Sequence, residues 1–527
     1  MADDDLPEKA GPSAGVESSS ASGESPPSGT LINVSGHKQE LERNFGLISL
    51  CGLGITSGNT WIALGGSVTV AIYNGGLPGV IYEFIAASFF YWLIAASIAE
   101  LASAIPSSGG VYHWATITAG RYGRSCGWFA GWWNCLAWLF GLASTAQIVA
   151  AQTVSMYALR HPGFVTQKWH VFVSYLLVTW VTGLIVLYLN RALPKIETIG
   201  GFTVVLGVFI SIIVCAVMPK SNGAPYATAY SVWSDWENTT GYASNGFVFL
   251  LGMLNGAFSV GTPDLVTHLA EEVPHPSKNI PKAILSQYLF GFLSGLLYLL
   301  AILYGINDLP SILTSTYLFP LTSIYLQTTG SPAGAIGMLV LALVPTFLSV
   351  IGCYVTASRV FWTLARDNAT PFSAFFAHVH ARHHNPSRAI AFCGAFATAL
   401  GCIYVGSSTA FAAFVGAFVL LSTLSYLAAV LPHLLSRRRN VVPGWFWMRG
   451  ALGWIVNGVS CAYIVVFVVI FCFPFGMPVD AESMNYASLI TGGLSLFVLA
   501  FWFVRRGGYV GPKEVVLDSA VLAKDAL

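Results

Sequence analysis

From residue 46 onward the chain alternates between apolar runs of about twenty residues and short polar connections. Runs fall near 46–72, 80–104, 126–153, 169–190, 196–218, 244–270, 282–306, 334–358, 387–405, 409–431, 451–473 and 486–504. Each is long enough to cross a bilayer as a helix, and the ten-residue alternation of a β-barrel is absent. The pattern therefore predicts an all-α integral membrane protein with about twelve transmembrane helices. Residues 1–40, rich in Ser, Gly, Pro and acids, read as a disordered cytosolic tail, not as a signal peptide. The membrane domain is expected over 41–506, with a cytosolic C-terminal tail over 507–527.

Two of the runs are interrupted. The sixth reads GFVFLLGMLNGAFSVGTPDLVTHLAEE from Gly246 to Glu272, with Asn255-Gly256 and Gly261-Thr262-Pro263-Asp264 inside apolar flanks. A lipid-facing helix has no use for such a break, because freed backbone groups find no water in hydrocarbon. A second helix is expected after it, N-capped by Thr262, with Pro263 at its first position and Asp264 at its positive end. The first run carries a similar stretch, CGLGITSGNTW over 51–61, with Thr56, Ser57, Gly58, Asn59 and Thr60. Alone, each has a plainer reading: a Pro-kinked helix in one case, a Gly-x-x-x-Gly packing motif in the other. Their separation by five runs favours broken helices. An odd offset gives two five-helix units opposite topology, so inverted repeats are expected over 46–218 and 244–431, with 451–504 as an addition.

The composition narrows the class. Of 527 residues, 55% are hydrophobic and 9% charged, and the mean hydropathy is +0.68, which excludes a soluble or a disordered protein. Net charge +1 suggests no nucleic-acid partner. The nine cysteines lie in or beside apolar runs and predict free thiols. With the N-terminus inside, only Arg160, Lys168 and Lys220 of the 24 Lys and Arg residues fall outside, so both termini are expected in the cytosol. Asn238-Thr239-Thr240 is then an external glycosylation sequon. Ser107-Ser108-Gly109-Gly110 lacks the Lys-Ser/Thr of a phosphate loop and suits a gating or re-entrant segment. His378, His380, His383 and His384 lack accompanying Cys or carboxylates and read as a solvated loop. No metal site or cofactor is signalled, and no catalytic cluster supports a membrane enzyme. A non-transporting nutrient receptor would usually add a long folded cytosolic domain, whereas these tails are short.

Three stretches together, IAELASAIPSSGGVYHW, GTPDLVTHLAEEVPHPSKNIPKAI and SRVFWTLARDNATP, resemble signatures of the amino acid–polyamine–organocation superfamily. The chain from about residue 40 to 506 is similar to fungal amino-acid/choline permeases. TSGNTW and GAFSVGTPDLVTHLAEE look most like choline-type permeases, with GABA permeases the nearest competitor. The resemblance implies a leucine-transporter-type fold, with broken helices 1 and 6 and alternating access around a central site. It also implies a multi-pass plasma-membrane permease, often a proton-coupled importer of amines or amino acids. Related bacterial permeases carry a membrane-embedded Lys in the fifth helix. Here that stretch reads IETIGGFTVV, which leaves the coupling ion open.

The expected chemistry is that of a small amine or amino-acid substrate in the bilayer, with a proton as candidate coupling ion. Half-helix N-termini at Ser57–Thr60 and Gly261–Asp264 suit a carboxylate. A quaternary ammonium such as choline instead needs ring faces and a negative field. Trp61, Phe258, and Trp133 and Trp138 on the third helix are the candidates for the rings, with Asn255 in the sixth-helix break. Asp264 is a carboxylate at membrane depth and so a candidate counter-ion or proton carrier. His268 and Glu271 follow on its face as coupling or gating residues, and Glu100 is expected to close a cytosolic gate against a basic loop residue.

Overall fold

A computed structural model describes residues 36–37, 40–481, 483–509 and 511–512. Most of the two expected tails lies outside these residues. The described chain is built from α-helices: α1 Leu47–Gly58, α2 Thr60–Ile72, α3 Gly76–Ala104, α4 Val111–Thr118, α5 Gly123–Arg160, α6 Lys168–Tyr188, α7 Leu193–Ser221, α8 Ala229–Trp233 and α9 Asn245–Ser259. A 3-10 run over Leu265–Glu272 follows. Then come α10 Pro276–Gly305, α11 Leu309–Leu313, α12 Leu321–Thr329, α13 Pro332–Arg366, α14 Ser373–Phe376, α15 Ser387–Gly406, α16 Ser408–Leu435, α17 Gly450–Ile470 and α18 Ala487–Arg505. Among the described residues, 11 helices are long and apolar enough to cross a membrane, the first of them formed by α1 and α2 together. The remaining crossing is α9 with its 3-10 continuation, as the interrupted sixth run leads one to expect.

The bundle is layered from inside out. The long α5 runs through the middle against α13, α16 and α4, while α1 packs on α7, α10 and α13. Glycine permits the closest of these contacts. A Cβ on Gly52 would come 2.6 Å from the Glu197 carbonyl oxygen, and one on Gly201 2.9 Å from Gly52 Cα. The outer helices turn apolar side chains outward: Ile199, Phe202, Leu206, Phe209 and Ile213 on α7 are all exposed. Spaced at three and four residues, they form the stripe that a lipid-facing helix requires.

Contacts identify the two ends of the bundle. At one end, Arg124 Nη2 at the start of α5 donates to the Arg506 carbonyl after α18, and Arg505 donates to the Asn368 carbonyl after α13. This end also holds the ion pairs described below, and we call it the basic end. At the other, Asn74 bridges Asn238, and Lys168 Nζ donates to the Gly406 carbonyl. The C-terminal tail begins later than expected, because Tyr509 is buried, stacked edge-on against Trp128 with its hydroxyl on Tyr112. Asn238 is half-buried, and its Nδ2 donates to the Tyr242 carbonyl at 2.8 Å. Its other Nδ2 hydrogen faces Asn245 Oδ1 at 3.2 Å, and a glycan would take the place of one of the two.

The α1–α7 contact generates a direct test. Gly52→Ile forces a branched side chain into a backbone-to-backbone contact, and overpacking of that kind costs about 1–3 kcal/mol. Its thermal midpoint in detergent should fall by several degrees. Gly458→Ala on α17, where nothing lies within 4 Å of the new Cβ, should leave the midpoint unchanged.

Candidate substrate cavity between two broken helices

The first span breaks at one residue. Asn59 adopts φ 29° and ψ 45°, ending α1 and starting α2. Asn is among the few residues that tolerate this left-handed geometry. The sixth span breaks over 260–264, and here the expectation of a second α-helix capped by Thr262 is corrected. The continuation is the 3-10 run after Asp264, which makes no side-chain cap. Its tighter turn shows in the bonds Leu265 N–H to Thr262 O and Thr267 N–H to Asp264 O. The freed carbonyls are satisfied from other helices. Tyr288 donates to Val260 O at 2.6 Å, and Gln287 Nε2 to Thr262 O at 3.2 Å and Thr262 Oγ1 at 2.8 Å.

Between the two breaks lies a cavity of about 50 Å³, room for one or two waters. Trp138, Phe258 and Phe418 supply its rings, and Ser57, Asn59, Thr262, Ser349 and Cys353 its polar side. Phe418 stands nearly perpendicular to both other rings, at 74° to Trp138 and 83° to Phe258, so the three form a box. No charged side chain lines it. Ser57 Oγ and Asn59 Oδ1 are buried there without a hydrogen-bond partner. Buried polar groups without a protein partner are costly, and a ligand hydroxyl or amine would satisfy them.

Asp264 is placed one layer behind this wall. Its carboxyl group accepts from Trp138 Nε1 at 3.0 Å, Asn134 Nδ2 at 2.7 Å and the Tyr426 hydroxyl at 2.6 Å, and His268 Nε2 lies 3.0 Å from it. Trp138, Asn134 and His268 meet Oδ2 and Tyr426 meets Oδ1. The other nitrogen of His268, Nδ1, faces the Ser108 carbonyl at 3.1 Å. A carbonyl only accepts, so Nδ1 carries a proton, and a hydrogen bond joins Nε2 to Asp264. Ser108 also accepts from Glu271 N–H at 3.0 Å, which ties the Ser-Ser-Gly-Gly segment to the 3-10 run.

Several expected site residues lie elsewhere. Trp61 faces away from the cavity, edge-on to Tyr298 at 4.9 Å. Trp133 points toward α18 and donates to Ser495. Thr60 fills the groove at Gly291 and Gly295 of α10, and Thr56 donates to the Glu197 carbonyl. Asn255 accepts from Ser67 on α2. Gly261 lies against Ala257 O and Phe418, and Gly58, at the cavity's edge, has its free side taken by Gln287. Phe418, Ser349, Asn134, Tyr426, Gln287 and Tyr288 were not anticipated. Asn134 did carry a signal, a lone amide in the apolar run WWNCLAW. Glu83 and Glu197, carboxylates buried in α3 and α7 without a hydrogen-bond partner among the described residues, carried one too.

Three carboxylates form ion pairs at the basic end. Glu271 pairs with Arg366 at 3.0 Å and Glu272 with Arg359 at 2.8 Å. Glu100 pairs with Arg438 at 2.6 Å and His433 at 3.2 Å. All three carboxylates are nearly fully buried.

The family model described as amino acid permease matches residues 45–494. The chain belongs to the amino acid permease family. This permease is 32% identical over 478 residues to a choline transporter of Saccharomyces cerevisiae, covering 90% of this chain and 82% of that protein. It is 30% identical over 470 residues to a swainsonine transporter, swnT, of Arthroderma benhamiae, covering 88% and 91%. It is 26% identical over 496 residues to the amino-acid permease BAT1 of Arabidopsis thaliana, covering 92% and 96%. The family places the permease in the amino acid–polyamine–organocation superfamily, in agreement with the resemblance of its motifs.

If the buried pairs hold the basic end shut, breaking one should open a path to the cavity. Glu272→Gln leaves Arg359 buried and uncompensated, a loss of about 3–5 kcal/mol. Thiol labelling of Cys353 from that side, read by mass spectrometry, should accelerate at least tenfold. An unchanged rate would mean that these pairs do not close the permease.

Proposed function

We propose that this permease transports a small cationic amine, choline first, by alternating access in the plasma membrane, with the basic end and both termini in the cytosol. The observation that carries the reading is the box of Trp138, Phe258 and Phe418, a cavity of rings with no charged side chain. A quaternary ammonium donates no ordinary hydrogen bond, and ring faces attract it in a desolvated site. Asp264 acts through Trp138. Its negative charge on the indole N–H enriches the ring electrons, while the carboxylate stays out of reach of the substrate. Ser57 and Asn59 are left to bind the one hydroxyl of choline. The resemblance to a choline transporter agrees with this choice. At about 50 Å³ the cavity must widen to admit it, and rotation of Phe258 or Phe418 is the shortest route.

A proton shared by Asp264 and His268 supplies the coupling. The pair sits between the aromatic box and the Ser108 segment, so its protonation acts on both. The excess of Lys and Arg at the basic end supports the cytosolic assignment. A second reading, a carboxylate-bearing substrate such as GABA or another amino acid, is favoured by Asn59. It precedes the first turn of α2 and lines the cavity, where helix N–H groups suit an anion. Neither reading requires catalytic chemistry.

Uptake assays separate the two. A cation–π contact in a desolvated site is worth about 2 kcal/mol, so Trp138→Leu should weaken choline affinity roughly thirtyfold. Phe258→Tyr should be milder than Phe258→Leu, because it keeps the ring. Trp61→Leu, outside the cavity, should lower stability and leave affinity alone. Wild type that takes up GABA and ignores choline would overturn the amine assignment. Asp264→Asn removes the charge and keeps the shape. It should abolish accumulation against a gradient while exchange of bound substrate persists. Undiminished accumulation would remove Asp264 from coupling.

A further inference from the structure

A larger cavity, about 250 Å³, opens between α3 and α10 near the basic end. Its walls are Trp92, Ala95, Ala96 and Ala99 of α3 and Ile284 and Leu285 of α10. The three alanines make the space, since larger side chains at those positions would fill it. Water has few partners among such walls, and Tyr288, which also borders the cavity, commits its hydroxyl to Val260 O. From Leu285 the exposed side chains Leu289, Leu293 and Leu297 continue along α10 at four-residue intervals. Twelve residues of helix cover about 18 Å, close to the hydrocarbon depth of one leaflet, about 15 Å.

The mouth of this cavity is cationic. Lys278 and Lys282 occupy the first two turns of α10, with their ammonium groups 6.0 and 5.5 Å from the centre of the Trp445 ring. Neither makes an ion pair with a carboxylate among the described residues. Of the other basic groups of this end, Arg359, Arg366 and Arg438 each have one, while half-buried Arg388 and Arg505 donate to backbone carbonyls. An apolar slot facing the membrane, capped by two unpaired lysines and an exposed tryptophan, matches an amphiphile with an anionic head.

We propose that this groove binds one anionic phospholipid of the leaflet at the basic end, its phosphate on Lys278 and Lys282 and an acyl chain between α3 and α10. The site is separate from the substrate cavity, and the inference does not depend on which amine is carried. Its effect on transport follows from α10, whose next turn supplies Gln287 and Tyr288 to the carbonyls of the broken sixth helix. A lipid wedged against α10 steadies those two side chains and hence the break.

The test compares the full-length permease in nanodiscs of phosphatidylcholine alone and of phosphatidylcholine with phosphatidylserine. Native mass spectrometry should find one retained phosphatidylserine, with a preference over phosphatidylcholine on the order of tenfold from two basic residues. Retention should be lost in Lys278→Ala/Lys282→Ala and kept in Lys278→Arg/Lys282→Arg. Ala96→Phe fills the slot with the charges intact and should lose it as well. Equal retention of both lipids would overturn the proposal. So would undiminished retention in the alanine pair, or thermal stabilisation in detergent by inorganic phosphate as large as that by phosphatidylserine. Retention of a sterol instead would assign the groove to a different occupant. Should Ala96→Phe fail to fold, the alanine and arginine pairs, altered at half-buried positions, still decide the matter.

Discussion

A backbone carbonyl inside a membrane must be hydrogen-bonded, and this requirement organises the permease. Where the sixth span breaks, the carbonyls of Val260 and Thr262 leave the α-helical ladder. Tyr288 and Gln287 of α10 bind them, and Tyr426 of α16 binds Asp264. Those bonds fix how α10 and α16 lie against the break, and so place Phe418 of α16 opposite Phe258 of α9. The aromatic box follows from where the backbone is satisfied. A helix without the break would need none of these partners and would leave no cavity.

Charge is distributed by the same economy of solvation. Asp264 is tolerated in the interior because Trp138, Asn134, Tyr426 and His268 converge on its carboxyl group. Glu100, Glu271 and Glu272 are each buried against an arginine at one end of the bundle. Buried pairs of this type add little to stability when intact and cost much when one partner is withdrawn. They therefore suit a closure that is either fully made or fully broken, which alternating access demands. Ser108 joins the two systems by accepting from Glu271 N–H and from His268. The Asp264–His268 pair is thus linked through one residue to the segment that carries the Glu271 and Glu272 ion pairs.

The helix count, the two breaks and the basic end were all legible in the sequence. Apolar runs of membrane length, glycine and polar residues inside two of them, and the bias of Lys and Arg each reflect one residue's own cost in lipid. Asp264, Phe258, Ser57 and Asn59 could be singled out for the same reason, as polar or aromatic groups at or near the breaks, whereas Trp138 was a candidate only through the fold that the motifs resemble. What needed the tertiary structure was direction. Trp133 and Trp138 are five residues apart, and at 100° per residue they point about 140° apart. Only one can face the cavity, and which one depends on how α5 is rotated among its neighbours. Trp61 is two residues past Asn59, which lines the cavity, yet it turns away from the cavity toward Tyr298. The donors to the broken backbone come from helices remote in sequence, so spacing along the chain carried no trace of them. Depth in the membrane is set by residue type and can be read locally. Azimuth is set by packing against other helices, and only the assembled bundle decides it.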